Sequence, residues 1–372
     1  MSSKMAVEGR ALRSKLRQKS FCGIVVRWFG PGDAALGTKS VFGPADPITL
    51  ADICQNPHIT GVVSALHGVK PGTIWDQRYI RQLKQNVEGH GLDLVGIESL
   101  WPGEEVICGG SDRERYADAF AESADNIGAE GIGFITYNLI TGAGDWMRNA
   151  SHIWPTGGVA TAYNRTIPQA ASSLSTTFDA DGRARLSEIY RRIGKNGVWD
   201  NAAWFLDRVA PAFRKYEGAL RLALHPDDPP EDRGPFPTAF STEEDLAHYL
   251  SMCDEPWSGL CFCTGSLSSR ADNDLVRMVR RFHERIVWGH FRSVVRTETG
   301  FIEAPHELGD TPLLECLKEL RKVNWRGDIR PDHGLLFQGD RAPCDGYGFQ
   351  DRILRAASLL YGWSSALQSC EA

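Results

Sequence analysis

Short apolar runs rich in β-branched residues recur along the chain, and amphipathic stretches of helical length separate most of them. Eight such runs are visible, at residues 23–28, 61–67, 92–98, 131–138, 220–225, 259–263, 286–290 and 328–332. Between two of them, Leu275, Met278, Val279 and Phe282 have the spacing of a helix that covers a sheet. Strands alternating with helices in this way predict an α/β protein, a closed (β/α)8 TIM barrel. A doubly wound open sheet is the alternative, although no glycine-rich phosphate-binding fingerprint follows the first run.

The same pattern predicts how the chain is divided. Residues 1–20 carry six basic side chains against one acid, which predicts a partly disordered tail, with a targeting presequence as the alternative. Residues 21–366 are predicted to form a single catalytic barrel, followed by a short tail at 367–372. The loop after strand 1, at 30–47, is extended, and the insertion after strand 4, at 139–199, is longer than one helix. Loops at the carboxyl ends of barrel strands line the active-site face, so both are candidate lids, with oligomer contacts or plain disorder as the alternatives.

Composition excludes some classes of function. With 42% hydrophobic and 24% charged residues and no apolar run of membrane-spanning length, the chain is expected to be soluble and free of membrane partners. A formal charge of −6 argues against a nucleic-acid partner. The nine cysteines are scattered without a disulfide spacing, which predicts a reducing, cytoplasmic location. We also expect a homo-oligomer, in the form of a dimer.

Side chains that can bind metals stand at the ends of the last four runs. These are His225, Cys263, His290 and Asp332, and each gap between them suits one helix plus one strand. Two imidazoles, a thiolate and a carboxylate at one rim would hold a divalent metal, and the thiolate favours zinc. Taken singly, each residue has a structural alternative, since a buried cysteine is often core and an aspartate often a cap. Cys261 points to the same side as Cys263 but one layer deeper, so we assign it to the barrel filling.

Longer motifs surround these positions. In the second half they are His225-Pro226-Asp227-Asp228-Pro229-Pro230, Cys263-Thr264-Gly265-Ser266, Arg270-Ala271-Asp272-Asn273-Asp274, His290-Phe291-Arg292-Ser293, His306 with Gly309-Asp310, and Arg330-Pro331-Asp332-His333-Gly334. Upstream they are Arg27-Trp28-Phe29-Gly30-Pro31, Ala65-Leu66-His67, Glu98-Ser99, Tyr137-Asn138 and Asp145-Trp146. Together they resemble the mannonate dehydratase family. The resemblance extends from about Arg27 to Arg352 and is weakest across 147–218.

The resemblance implies a xylose-isomerase-like barrel and a hydro-lyase activity. Such an enzyme converts D-mannonate to 2-keto-3-deoxy-D-gluconate and water by β-elimination, a step of hexuronate (glucuronate) catabolism in carbohydrate metabolism. The implied cofactor is Mn²⁺, which displaces zinc as the preferred ion, with Fe²⁺, Co²⁺ and Zn²⁺ as alternatives. The implied metal ligands are the four already reached from the strand ends. The implied acid/base pair is His333 and Tyr347, without a decision on which is the base. For Tyr347, a packed aromatic in a loop is the structural alternative.

Three further residues are candidates to bind the carboxylate and hydroxyls of a sugar acid, namely His67, Arg270 and Arg292. An arginine offers paired donors that fit a carboxylate. Because Arg270 stands beside Asp272, a surface ion pair is the alternative for that residue.

Two alternatives to a sugar-acid dehydratase remain open. One is a sugar isomerase or epimerase on the same barrel, although such enzymes more often bind metal through several carboxylates. The other is a non-catalytic relative that binds a sugar acid. The chain departs from the family pattern at residues 103–107 and 311–312, which bear on the sugar pocket and therefore on the identity of the substrate.

Overall fold

The computed structural model of the chain describes residues 3–30, 46–142, 148–167, 180–231 and 234–369. The strands, in chain order, are β1 (Gly23–Arg27), β2 (Gly61–Ser64), β3 (Asp93–Glu98), β4 (Phe134–Tyr137), β5 (Ala150–Ile153), β6 (Val159–Asn164), β7 (Arg221–Leu224), β8 (Ser258–Cys263), β9 (Ile286–Phe291), β10 (Ser293–Thr297), β11 (Gly300–Ala304) and β12 (Asp328–Pro331). The helices are α1 (Ser3–Arg17), α2 (Leu50–Ile53), α3 (Gln77–Glu88), α4 (Glu104–Cys108), α5 (Arg113–Ala129), α6 (Ala180–Arg214), α7 (Glu243–Met252), α8 (Thr264–Ser268), α9 (Leu275–Phe282), α10 (Leu313–Lys322) and α11 (Ala357–Ser369). A 3₁₀ turn (His283–Arg285) precedes β9, and a π-helical segment (Phe349–Ala356) leads into α11.

Within these residues, eight parallel strands close into a barrel in the order β1-β12-β9-β8-β7-β4-β3-β2. Each predicted run overlaps one of these strands, so the predicted TIM barrel is confirmed. The barrel closes between its first and last strands, where Ile24 pairs with Ile329. Most of these strands are buried along their whole length, because helices cover the outer face and side chains fill the inside.

The inside of the barrel is packed with side chains. The filling consists of Val25, Val63, Phe134, Ala223, Cys261, Val287 and Trp288. Phe134 and Trp288 are the large members, and their ring centroids lie 4.9 Å apart. Cys261 therefore belongs to the filling, as predicted. On the outside, the predicted stripe of α9 is buried against the strands, and each such side chain stabilises the fold by about 1.5–3 kcal/mol.

A second, antiparallel sheet was not predicted. Its four strands in the described chain have the order β10-β11-β6-β5. One hairpin, β5–β6, lies in the insertion after β4, and the other, β10–β11, follows β9 directly. The two hairpins join where Phe301 pairs with Tyr163. Because both loops leave carboxyl ends of barrel strands, the sheet stands on the rim that carries the candidate ligands.

The structure differs from the predicted disordered tail at residues 1–20, because Ser3–Arg17 is the helix α1. Two of its basic residues have partners on the barrel: Arg10 Nη1 donates to Asp93 Oδ1 at 2.5 Å, and Arg13 Nη2 donates to the carbonyl of Cys54 at 2.9 Å. Ala6 is buried. These contacts hold the helix against the amino end of the barrel.

The predicted lid loops and the predicted C-terminal tail lie only partly within the described residues. Residues 31–45 of the first candidate lid, and 143–147 and 168–179 of the second, lie outside the described residues, so the lid roles stay predictions. At the other end of the chain, α11 continues through 367–369, where a tail was predicted. Among the described residues, no helix combines the length and apolar composition needed to cross a bilayer.

Candidate active site

Three of the four predicted metal ligands come together at the carboxyl end of the barrel. His225 follows β7, Cys263 ends β8 and His290 lies near the end of β9. One ligand atom from each lies within 4.8 Å of the others. The three strands are neighbours in the barrel, so the closed parallel topology alone brings their ends together.

The chemistry of these three residues suits a divalent metal. His290 is 1% exposed, and neither of its ring nitrogens has a hydrogen-bond partner among the described residues. Leaving a buried polar atom without a partner costs about 1–3 kcal/mol, which a bound cation would offset. His225 Nδ1 donates to the carbonyl of Pro226 at 2.7 Å, so its Nε2 is the nitrogen left to bind a metal. Cys263 is fully buried, with Sγ 3.1 Å from Ser266 Oγ.

The two imidazoles have opposite electrostatic surroundings. Burial lowers the pKa of His290 well below its ordinary value, and the nearby Arg330 adds to that effect. Burial also acts to lower the pKa of His225, but the Cys263 sulfur and the carboxylates of Asp332 and Asp228 outweigh it and raise the pKa to about 9. A metal must therefore displace a proton from His225 on binding, which makes its affinity dependent on pH.

Asp332, the fourth predicted ligand, lies beside the cluster. Its Oδ2 is 3.7 Å from Cys263 Sγ, and its Oδ1 is 3.7 Å from His290 Nδ1. Both oxygens also bind arginines: Arg292 Nε donates to Oδ2 at 2.7 Å, and Arg330 Nη2 lies 2.5 Å from Oδ1. Although burial acts to raise the pKa of Asp332, these cations hold it well below its ordinary value. The carboxylate is therefore ionised and adjacent to the three ligands.

The predicted acid/base pair, His333 and Tyr347, also comes together, with ring centroids 5.0 Å apart. His333 Nδ1 lies 2.6 Å from Glu303 Oε1, and its Nε2 lies 3.8 Å from Asp332 Oδ1. Burial raises the pKa of Tyr347 to about 12, against the opposing effect of nearby arginines. The pair thus stands next to the cluster of His225, Cys263 and His290, called here the metal-type cluster. Its phenol is protonated at neutral pH.

His67 is connected to this pair through an aromatic contact. Phe29 stacks on His67 with a centroid distance of 5.4 Å, and it meets Tyr347 edge-on at 5.0 Å. Burial, with a further contribution from Arg27, lowers the pKa of His67 well below its ordinary value. His67 is therefore a neutral imidazole on the same rim.

The two arginines predicted to bind substrate have different surroundings. Arg292 is 1% exposed and donates to three carboxylates, those of Asp332, Glu303 and Asp228. Arg270 pairs with Asp272 at 2.5 Å and donates to the carbonyl of Pro230. Arg270 therefore forms the ion pair that was the alternative to substrate binding. The guanidinium of Arg292 is occupied by hydrogen bonds to carboxylates of the protein.

Several charged residues at the rim received no role in the sequence-based prediction. Arg148 donates to both oxygens of Asp228, at 2.9 and 3.0 Å, and to Glu303 at 2.8 Å. Arg330 donates to Glu98 Oε1 at 2.8 Å. For Arg330 a signal existed, since it stands two residues before Asp332 on a strand and so faces the same side. For Glu303, which lies among apolar residues in β11, the sequence contains no such signal.

A cavity of about 170 Å³ opens beside His67, at the ends of β2, β3 and β4. Its walls are mostly apolar, with Leu66, Leu100 and Phe120 among them. None of the three metal-type ligands lines it. The cavity therefore lies on one half of the rim, at β2, β3 and β4, and the three ligands lie on the other, at β7, β8 and β9.

Comparison with known proteins identifies the family of the chain. The family model for D-mannonate dehydratase (UxuA) matches residues 25–372. Mannonate dehydratase 2 from Halalkalibacterium halodurans is 31% identical over 343 residues, which cover 88% of this chain and 98% of that protein. The crystal structure of mannonate dehydratase from Streptococcus suis serotype 2 superposes with a TM-score of 0.83 at 29% identity, over 95% of each chain. A xylose isomerase-like TIM barrel protein from Mycobacterium smegmatis, 9% identical with a TM-score of 0.54 over 95% of this chain and 99% of that one, shares the fold. The chain belongs to the D-mannonate dehydratase (UxuA) family, a family of hydro-lyases.

Proposed function

We propose that this chain dehydrates D-mannonate to 2-keto-3-deoxy-D-gluconate with Mn²⁺ as its cofactor. Family membership supports a sugar-acid dehydratase. The observation that carries the proposal is the convergence of His225, Cys263 and His290 within 4.8 Å, with His333 and Tyr347 beside them. A metal-type cluster next to two proton-transfer groups is what removal of a weakly acidic hydrogen beside a carboxylate requires.

In the proposed site, His225, Cys263 and His290 hold the cation and the neighbouring carboxylate of Asp332 completes the set. A divalent ion bound there supplies Lewis-acid stabilisation of the negative charge that develops on the substrate carboxylate. The motif resemblance favours Mn²⁺, while this mixed donor set also accepts Fe²⁺, Co²⁺ or Zn²⁺.

We assign the base to His333 and the acid to Tyr347. The imidazole takes the proton from C2 of the sugar acid, and the phenol gives a proton to the hydroxyl that leaves C3 as water. The resulting enol then tautomerises to the 2-keto-3-deoxy acid. The assignment follows from Tyr347, because a phenol with a pKa of about 12 keeps its proton at neutral pH and has one to donate, which leaves the role of the base to His333.

The test is a turnover assay of the purified chain with Mn²⁺ and a panel of aldonates that includes D-mannonate. We expect a keto-deoxy acid from D-mannonate and none from the His333→Asn variant at equal metal content. Absence of a keto-deoxy product from every aldonate contradicts the proposal. Interconversion of aldoses and ketoses would instead favour an isomerase or epimerase. Protein that is purified without metal and binds aldonates, but shows no turnover after Mn²⁺ is added, would favour a binding protein.

We further propose that the chain works in the reducing cytoplasm as a homodimer. The cysteines of the described residues are free thiols, which supports a reducing compartment. The dimer is tested by light scattering on the eluting protein, and a mass of one chain at micromolar concentration contradicts it.

A further inference from the structure

We propose that Glu303 is a positioning residue for His333, which fixes the imidazole so that Nε2 is the atom that exchanges a proton with the substrate. This inference rests on the proposed role of His333. It starts from the distance of 2.6 Å between His333 Nδ1 and Glu303 Oε1. A carboxylate that binds cations is ionised and only accepts hydrogen bonds, so Nδ1 carries the hydrogen and Nε2 is left for chemistry.

The direction of Nε2 agrees with this assignment. It lies 3.8 Å from Asp332 Oδ1, on the side of the metal-type cluster, while Nδ1 faces away towards the second sheet. The centroid of the Tyr347 ring lies 5.0 Å from that of the imidazole. A ring turned over about its Cβ–Cγ bond would exchange Nδ1 with Cδ2 and Nε2 with Cε1, so it would lose the bond to Glu303 and place a carbon where the base nitrogen stands.

Glu303 is itself held firmly. The side chain is 5% exposed. Its Oε1 accepts from Arg292 Nη1 at 3.0 Å and from Arg148 Nε and Nη2 at 3.0 and 2.8 Å. Two guanidiniums therefore keep the carboxylate ionised and fix its position, which is the condition for orienting a neighbouring imidazole.

The backbone also fixes Glu303 relative to His333. Glu303 lies on β11, which pairs with β6 where Ile302 faces Ala162. At the other end of β6, Val159 and Leu336 exchange two backbone hydrogen bonds, of 2.9 and 2.8 Å. Leu336 stands three residues after His333. The second sheet thus connects the carboxylate to the loop that carries the imidazole, and this gives the sheet a part in catalysis.

The alternative is that Glu303 serves only as a counter-ion for Arg148 and Arg292. A readout that depends on the His333 tautomer separates the two roles. We would label the histidines of the metal-free protein with ¹⁵N, record two-bond ¹H–¹⁵N correlations at pH 8, and assign His333 by its loss in His333→Asn. In the wild type we expect the Nδ1–H form.

In Glu303→Ala we expect a mixture of tautomers at His333 and a kcat for the Mn²⁺-loaded enzyme about 100-fold lower, with KM changed by less than about threefold. Glu303→Gln keeps the side-chain volume in case the alanine variant does not fold, and we expect a smaller loss of kcat because its amide oxygen still accepts. Arg148→Lys is the matched control, since it disturbs the same ion cluster without removing the acceptor, and it should retain the Nδ1–H tautomer.

The inference is overturned if folded Glu303→Ala or Glu303→Gln keeps both the tautomer and the kcat of the wild type. It is also overturned if Arg148→Lys shifts the tautomer as far as Glu303→Ala, because the effect would then belong to the ion cluster as a whole. A wild type that dehydrates no aldonate refutes the proposed function separately, and the tautomer comparison then decides this inference alone.

Discussion

Replacing Arg292 by methionine takes a guanidinium away from two buried carboxylates and one partly buried carboxylate. In the structure its Nε, Nη1 and Nη2 donate to Asp332, Glu303 and Asp228 at 2.7, 3.0 and 2.8 Å. The sequence predicts a substrate-binding role for this residue. In that case the substitution would raise KM and leave the stability of the protein unchanged. The geometry predicts a defect of stability instead.

The size of that defect follows from the burial of the pairs. Breaking a buried ion pair by removing one partner costs about 3–5 kcal/mol. Since Arg330 still pairs with Asp332 and Arg148 with Glu303, we expect the lower part of this range, about 3–4 kcal/mol. With an unfolding entropy of about 2.1 cal/mol/K per residue, this loss lowers the unfolding midpoint of the chain by about 4–5 °C.

The assay is thermal unfolding of metal-free protein at pH 7, followed by circular dichroism. Arg270→Met is the control, because Arg270 pairs with an aspartate whose side chain is 61% exposed. An exposed pair contributes less than about 1 kcal/mol, so that variant should unfold within about 1 °C of the wild type. The reasoning is refuted if Arg292→Met also unfolds within that margin while its KM for the sugar acid rises.

Three further outcomes are expected. Cys263→Ser should weaken binding of Mn²⁺ or Zn²⁺ more than about tenfold in a calorimetric titration, and unchanged affinity would remove the thiolate from the ligand set. Tyr347→Phe should lower kcat by about 10²–10⁴-fold at unchanged KM, and a wild-type kcat would contradict the phenol as acid. Metal-free protein should be most stable near pH 6.5, as measured by urea unfolding between pH 5 and 9. Above that value, stability falls because folded His225, with a pKa of about 9, binds a proton that the unfolded chain releases. Below pH 6.5, stability falls because the lowered pKa values of His67 and His306 keep these residues neutral in the fold, whereas in the unfolded chain they bind protons. A flat stability profile between pH 5 and 9 would contradict both explanations.

The barrel was predictable from the sequence because its strands are buried on both faces and therefore appear as continuous apolar runs. The metal-type residues were predictable for a related reason. The carboxyl ends of consecutive parallel strands lie at one rim of the barrel. His225, Cys263 and His290 each stand at such an end, so the order of the strands is enough to bring them together. Nothing beyond local pattern and topology was required for either prediction.

Features that depend on distant partners were not predictable in this way. The basic residues of α1 look solvated until Asp93 and the carbonyl of Cys54 are placed against them. Arg292 has the same side chain whether it binds a substrate or three protein carboxylates. The β10–β11 hairpin did leave a signal, since paired β-branched and aromatic residues flank Gly300, but its position directly after a barrel strand concealed it.

The joining of β6 to β11 has a consequence for changing the specificity of such an enzyme. The loops that follow two barrel strands far apart in the chain share one hydrogen-bonded ladder, so neither is an independent module. A β10–β11 hairpin transplanted alone from a homologue must match the register of β6, and a hairpin that does not pair leaves β6 with an open edge that invites association between chains. Loop grafts on this scaffold should therefore exchange both hairpins together, as a single cassette.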